Sequence, residues 1–134
     1  MDEGKKALYF KKVAEEPYAQ LLGITLKDVS EGYALVEMVY RPEFDNIYGS
    51  AHGGALFSLI DEAFEVSSNS HDKVSVALNM NVTYMKPPQK NALLRAESKE
   101  RHRTKSTASY HITVRDEAGL IAVCQDLVYR KDEV

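Results

Sequence analysis

Four residue types within sixteen positions carry the chemistry this chain offers. They lie in the run NIYGSAHGGALFSLID, Asn46 to Asp61. Asn46 supplies an amide, His52 an imidazole, Gly53 and Gly54 a tight backbone corner, and Asp61 a carboxylate. Glycines before a helix let the chain turn sharply and leave the first N–H groups open. Those N–H groups, at the positive end of the helix dipole, suit an oxygen that carries or develops negative charge. The run therefore places an oxyanion site at the start of a helix and a candidate base or nucleophile further along it.

The helix that must position them is expected from about Gly53 to Ser68. Ala55, Leu56, Phe57, Leu59, Ile60, Ala63, Phe64 and Val66 cover more than half its circumference. Ser58, Glu62 and Glu65 fill the opposite arc, which reads as a solvated face. Asp61 falls at the border, beside Phe57 and Phe64, where one side of its carboxylate would lose water. By itself that position fits a solvated surface carboxylate better than a catalytic one.

Ahead of the run, Asp2 to Glu15 reads as a helix that Pro17 interrupts, with a short restart ending at Gly23. Ile24–Val29 and Tyr33–Tyr40 form a hairpin around Ser30-Glu31-Gly32. After the helix, Val74–Met85, Ala92–Arg101, Ser106–Arg115 and Leu120–Arg130 read as strands, with Pro87-Pro88 ending the first. The expected class is α+β: one long helix wrapped by a curved antiparallel sheet of five to six strands. An edge of so small a sheet tends to pair with a second copy.

Length and composition narrow the function. A chain of 134 residues suits one domain, 1–134, with 1–22 as an N-terminal helical segment. A net charge of −3 with mixed signs argues against nucleic acid as partner. The charged start MDEGKKALYFKKVAEE lacks the apolar core of a signal peptide, and no run approaches a membrane span. Cys124 is the only cysteine, so a reducing cytoplasmic compartment is expected. The four histidines lie far apart without ligand spacing, so no metal site is expected.

With Asn46, Gly49, His52-Gly53-Gly54 and Asp61 at these spacings, the chain resembles hotdog-fold acyl-CoA thioesterases, in the subfamily of the phenylacetate-pathway enzymes. Asn79 to Pro87 (NMNVTYMKP) and Arg101 to Val114 (RHRTKSTASYHITV) extend the likeness over nearly everything after Pro17. The resemblance implies a hotdog fold, no cofactor, and hydrolysis of an acyl-CoA, aromatic in the phenylacetyl manner or otherwise, to free acid and coenzyme A. It implies a homodimer with two composite sites, often within a homotetramer. Thr104 stands where relatives often have glycine. Ala77 stands where some relatives carry an assisting serine, for which Asn79 or Asn81 could substitute only if no bulge intervenes.

On this reading Asp61 is base or nucleophile, and Gly53 donates its N–H to the oxyanion. Asn46 orients the thioester or the water. His52 holds the loop and Asn46, or hydrogen-bonds near the sulfur. Gly54 completes the corner and, with Asn79 and Asn81, is expected to contact substrate. Tyr48, Phe57, Ile60 and Phe64 would line the acyl pocket, although they suit a plain core equally. Lys86, Arg101, Arg103 and Lys105 would meet the phosphates of coenzyme A, the last three recurring at period two near a turn. Gly53 and Asp61 are eight residues apart, about 12 Å along a helix, so one carbonyl cannot touch both within one chain. If both act on one substrate, they come from different chains. The alternatives are a non-catalytic acyl-CoA binding or sensing domain of the same fold, a hydratase or dehydratase, and a purely structural dimer module.

Overall fold

The protein is described by a computed structural model over residues 1–131. Helix α1, Glu3–Glu15, starts where the Asp2 carboxylate accepts from the Lys5 N–H at 2.8 Å. Pro17 opens the short α2, Pro17–Leu22, and Gly23 ends it at φ 74°. The hairpin β1, Thr25–Ser30, and β2, Tyr33–Val39, turns at Gly32. A Cβ at Gly32 would lie 2.5 Å from a Glu100 carboxylate oxygen, and φ there is 71°, so glycine is required twice over.

A loop with one 3-10 turn, Pro42–Phe44, leads into α3, Gly53–Ser68. Strands β3 (Ser75–Tyr84), β4 (Leu93–Arg103), β5 (Thr107–Asp116) and β6 (Gly119–Arg130) follow. They form one six-stranded antiparallel sheet in the order β1-β2-β4-β5-β6-β3. The expected elements are present within a residue or two. The neighbours are not all consecutive, however. β3 goes to the far edge beside β6, and the segment carrying Pro87-Pro88 returns the chain to β4 in the middle. Pro87 and Pro88 have no N–H for a ladder, so pairing stops there and the chain is free to cross to β4.

Helix α3 lies against β2, β4 and β5. Leu56, Leu59, Ile60, Ala63 and Phe64 are buried against Val36, Met38, Leu94, Ile112 and Val114. This is the hotdog arrangement, a sheet curved round one helix. One expectation fails on the opposite arc of α3: Glu62 is only 4% exposed. The corner between α1 and α2 covers that side, with the Tyr18 hydroxyl 2.7 Å from Ser58 Oγ. Helix period reports how many residues are apolar on an arc, not whether a second element roofs it. Among the described residues, no helix is long and apolar enough to cross a membrane.

Candidate active site

His52 caps α3, its Nδ1 accepting the Gly54 N–H at 2.8 Å. The His52 N–H donates to the Phe44 carbonyl at 2.8 Å, which ties the corner to the core. Of the two glycine N–H groups, Gly54's is therefore spent on the cap. The N–H of Gly53 has no acceptor among the described residues. A Cβ at Gly53 would come within 3.4 Å of the Tyr84 ring, whose hydroxyl donates to the Gly53 carbonyl at 3.1 Å. The edge strand β3 thus pins the start of α3. Tyr84 was not among the residues expected to matter, although it sits inside the run NMNVTYMKP.

Asn46 is turned toward its own loop. Its Oδ1 accepts the N–H groups of Tyr48 and Ser50, at 2.9 and 3.1 Å. Its Nδ2 lies 3.5 Å from the Ala51 carbonyl, too long for a strong bond, so the amide N–H₂ is the end left for another acceptor. With Gly49 at φ 73° and an Asp45–Ala51 bridge, the loop is a stiff finger holding Ile47 and Tyr48 almost fully in solvent.

Gly53, Phe57, Asp61 and Glu65 form an i, i+4 row along α3. Phe57 is 37% exposed between the two polar positions, and Asp61 is exposed at the surface. Its carboxyl is nevertheless held above the ordinary value of 3.8, first by partial desolvation against the protein and then by the negative charge of Glu16. Gly53 and Asp61 remain two turns apart, as the helix demands.

Several expected binding residues are placed elsewhere. Phe64 and Ile60 are buried in the core, Phe64 edge-on to Tyr110 with ring centroids 5.7 Å apart, so neither lines an acyl pocket. Asn79 and Asn81 face away from α3. The register slips at Leu78: Ala77 pairs with Val128, but Asn79 pairs with Leu127. Buried Val128, Asp126 and Cys124 mark the side toward α3, which Ala77, Met80 and Val82 share, while Asn79 and Asn81 take the other face. They cannot stand in for a hydroxyl at Ala77.

The basic stripe is broken as well. The β4 register shifts at Arg101, between Glu100 and His102. Arg103 is engaged, with Nη1 2.6 Å from His71 Nδ1 and Nε 3.6 Å from Glu100 Oε1. Lys105 is in the turn beyond. That turn is beside Arg130, which pairs with Ser75, whereas Gly53 meets Tyr84 at the other end of β3. The separation is roughly 30 Å for nine strand residues. Only Lys86 is local: it borders a hollow of about 420 Å³ shared with Ala51, Gly53, Leu56, Tyr84 and Met85. Its Nζ reaches the Ala118 carbonyl at 3.0 Å.

Comparison with known proteins decides the family. Residues 48–123 match the thioesterase superfamily. The chain belongs to that superfamily and is a thioester hydrolase. A relative from Archaeoglobus fulgidus, named only as far as an esterase, is 42% identical over 115 residues, 85% of this chain and 75% of its own. The acyl-coenzyme A thioesterase PaaI of Escherichia coli is 35% identical over 96 residues, 72% of this chain and 69% of its own. The solved structure of the E. coli PaaI protein, from the phenylacetic acid degradation operon, superposes with a TM-score of 0.87 at 29% identity, covering 96% of this chain and 91% of that one. This thioesterase is hotdog-folded and similar to PaaI along nearly its whole length.

Proposed function

We propose that this thioesterase hydrolyses acyl-CoA thioesters at a site shared between two chains, with Gly53 of one and Asp61 of the other facing a single carbonyl. The observation that carries the reading is the Gly53 N–H, left without an acceptor at the start of α3 while its neighbour is consumed by the cap. That donor suits the thioester oxygen as it becomes an oxyanion. Asp61, on the same exposed row but about 12 Å away, reaches such a carbonyl only from a second α3 running antiparallel beside the first. The exposed Phe57 midway, with Val76, Leu78 and Met85 on or beside the uncovered β3 edge, supports a partner copy on this side.

As general base, the Asp61 carboxylate takes a proton from water while the water oxygen bonds to the carbonyl carbon. The tetrahedral oxyanion rests on the Gly53 N–H. Collapse breaks the C–S bond, and the departing thiolate takes up the proton from Asp61. As nucleophile, Asp61 would instead attack the carbonyl carbon and expel the coenzyme A thiolate as the C–S bond breaks, leaving a mixed anhydride; water then opens it to the free acid and the Asp61 carboxylate, and a proton from that water passes to the thiolate. The Asn46 amide N–H₂ is the group available to orient the water or thioester. His52 serves as the cap that leaves Gly53 free. Lys86 is the cation placed to meet a coenzyme A phosphate near Gly53, with Arg101 and Lys105 available only to a substrate held across the dimer.

A thiol-release screen over short, long and aromatic acyl-CoAs tests the reading. The aromatic arm is motivated by the likeness to the E. coli PaaI protein. Turnover of at least one acyl-CoA is expected, and Asp61→Asn is expected to lower kcat by about 10²-fold or more with an unchanged circular dichroism spectrum. Tight acyl-CoA binding without turnover by the wild type would mark a sensing domain instead. Wild-type kcat in the folded variant would remove Asp61 from the reaction.

A further inference from the structure

Behind Asp61 lie three carboxylates that the reaction above does not use. One oxygen each of Glu16, Glu62 and Glu65 fall within 4.8 Å of one another. Glu16 is the single residue between α1 and α2, whereas Glu62 and Glu65 are one turn apart on α3. Glu62 is 4% exposed, and its Oε2 has no hydrogen-bond partner. Among the described residues, no lysine or arginine forms an ion pair with any of the three. Carboxylates this close, one of them out of water, do not all ionise together, so the cluster retains a proton near neutral pH and still carries negative charge.

The cluster is next to the candidate base. Asp61 precedes Glu62 and is one turn before Glu65, which puts the Cβ atoms of the i, i+4 pair about 5–6 Å apart. We propose, on the strength of the reaction assigned to Asp61, that Glu16 is a positioning residue for that base, a negative charge held beside it by packing against the proton-holding carboxyls of Glu62 and Glu65.

The electrostatics point the same way. Burial first, and then the neighbouring carboxylates, raise the proton affinity of Glu62 and Glu65, and the charge of Glu16 contributes to that of Asp61. Among the described residues, the other ionisable groups around this part of α3 form no ion pair with the cluster. Lys5 and Lys12 of α1 line the adjoining groove, and Lys5 is paired with Asp72. Tyr18 of α2 bonds Ser58. From the sheet, β5 presents Tyr110 and β6 presents Cys124 and Asp126, none of them a cation. A general base works best when its proton affinity is matched to the operating pH, so a cluster that raises it improves the proton step without touching substrate.

The test is the pH dependence of kcat/KM on an acyl-CoA that the wild type turns over. Glu16→Gln, at a half-exposed position, is expected to move the acid limb to lower pH by about half a unit and to lower the plateau kcat about threefold, with KM unchanged, because the charge of Glu16 is the one that acts on Asp61. Glu16→Asp, which keeps the charge, is expected to restore the wild-type limb. Glu62→Gln and Glu65→Gln, neutral replacements for carboxyls that hold their protons through that limb, are expected to leave it near its wild-type position. A folded Glu16→Gln enzyme with a wild-type acid limb and kcat would overturn the inference while leaving Asp61-dependent hydrolysis standing. Undiminished turnover by Asp61→Asn would overturn the reaction, and this inference with it.

Discussion

Asp61 and Glu62 are adjacent in sequence, yet their surroundings are opposite. Asp61 meets solvent and a prospective partner, whereas Glu62 is under the α1–α2 corner with an unpartnered oxygen. The folded state holds the Glu62 proton more tightly than the unfolded chain, chiefly because burial disfavours the charged form. The linkage follows with a definite sign. Below the ordinary glutamate value of 4.5 both states are protonated and this group costs nothing; as pH rises from there through neutrality, the unfolded chain sheds the proton first and stability declines. Glu62→Gln, which removes the charge but keeps the shape, is therefore expected to match the wild-type Tm at pH 4.5 and to exceed it at pH 8.5. Parallel thermal melts across that range would check it, and a lower Tm for the variant at both pH values would show that the carboxylate is satisfied in a way the geometry does not indicate.

At the scale of the element, the bulge at Leu78 decides which side of β3 meets α3. One extra residue shifts every side chain beyond it to the other face, because strand period is two. Ala77 is consequently on the α3 side and Asn79 and Asn81 are not. Restoring a hydroxyl with Ala77→Ser is expected to change kcat, upward severalfold if the hydroxyl can help hold the attacking water. Asn79→Ala and Asn81→Ala are expected to leave kcat within about twofold. Steady-state kinetics on the three variants distinguishes the faces: a large kcat loss in either alanine variant would show that the asparagines reach the substrate after all. The same reasoning separates the two expected phosphate-binding arginines. Arg101 is at a bulge in β4, whereas Arg103 is drawn into the His71–Glu100 cluster, where burial of His71 pushes its imidazole below the usual value against the pull of Glu100.

At the scale of the whole molecule, the separation of Gly53 and Asp61 along one rigid helix makes the active unit larger than the chain. Complementation measures this directly. One parent carries Asp61→Asn; the other carries Gly53→Val, whose side chain would crowd the Tyr84 ring and the oxyanion position. Each homodimer is expected to be nearly inactive. In a mixed dimer one composite site inherits both lesions and the other neither, so re-associated mixtures are expected to regain up to about half the wild-type activity per mixed dimer. No recovery, with mixed dimers confirmed by native mass spectrometry, would show that each site lies within one chain.

What the sequence determined by itself is local. The glycine corner, the span of α3, the proline break after α1 and the strand segments are all written in short-range patterns, because backbone freedom, missing N–H groups and side-chain period act over a few residues. The spacing of Asn46, His52, Gly53 and Asp61 carried the family for the same reason: one loop and one helix hold the whole set. What the tertiary structure decided depends on which elements meet. The roof over Glu62 comes from α1 and α2, 46 residues earlier than the carboxylate it buries when counted from Glu16 to Glu62. The face of Asn79 turns on a single unpaired residue that strand alternation cannot reveal, and the place of β3 at the far edge on a crossing that two prolines allow. Phe57 and Phe64, alike in type and one helix border apart, part ways because only Phe64 meets Tyr110 of the sheet. Burial is a property of contacts between distant segments, and the sequence states the residues without stating those contacts.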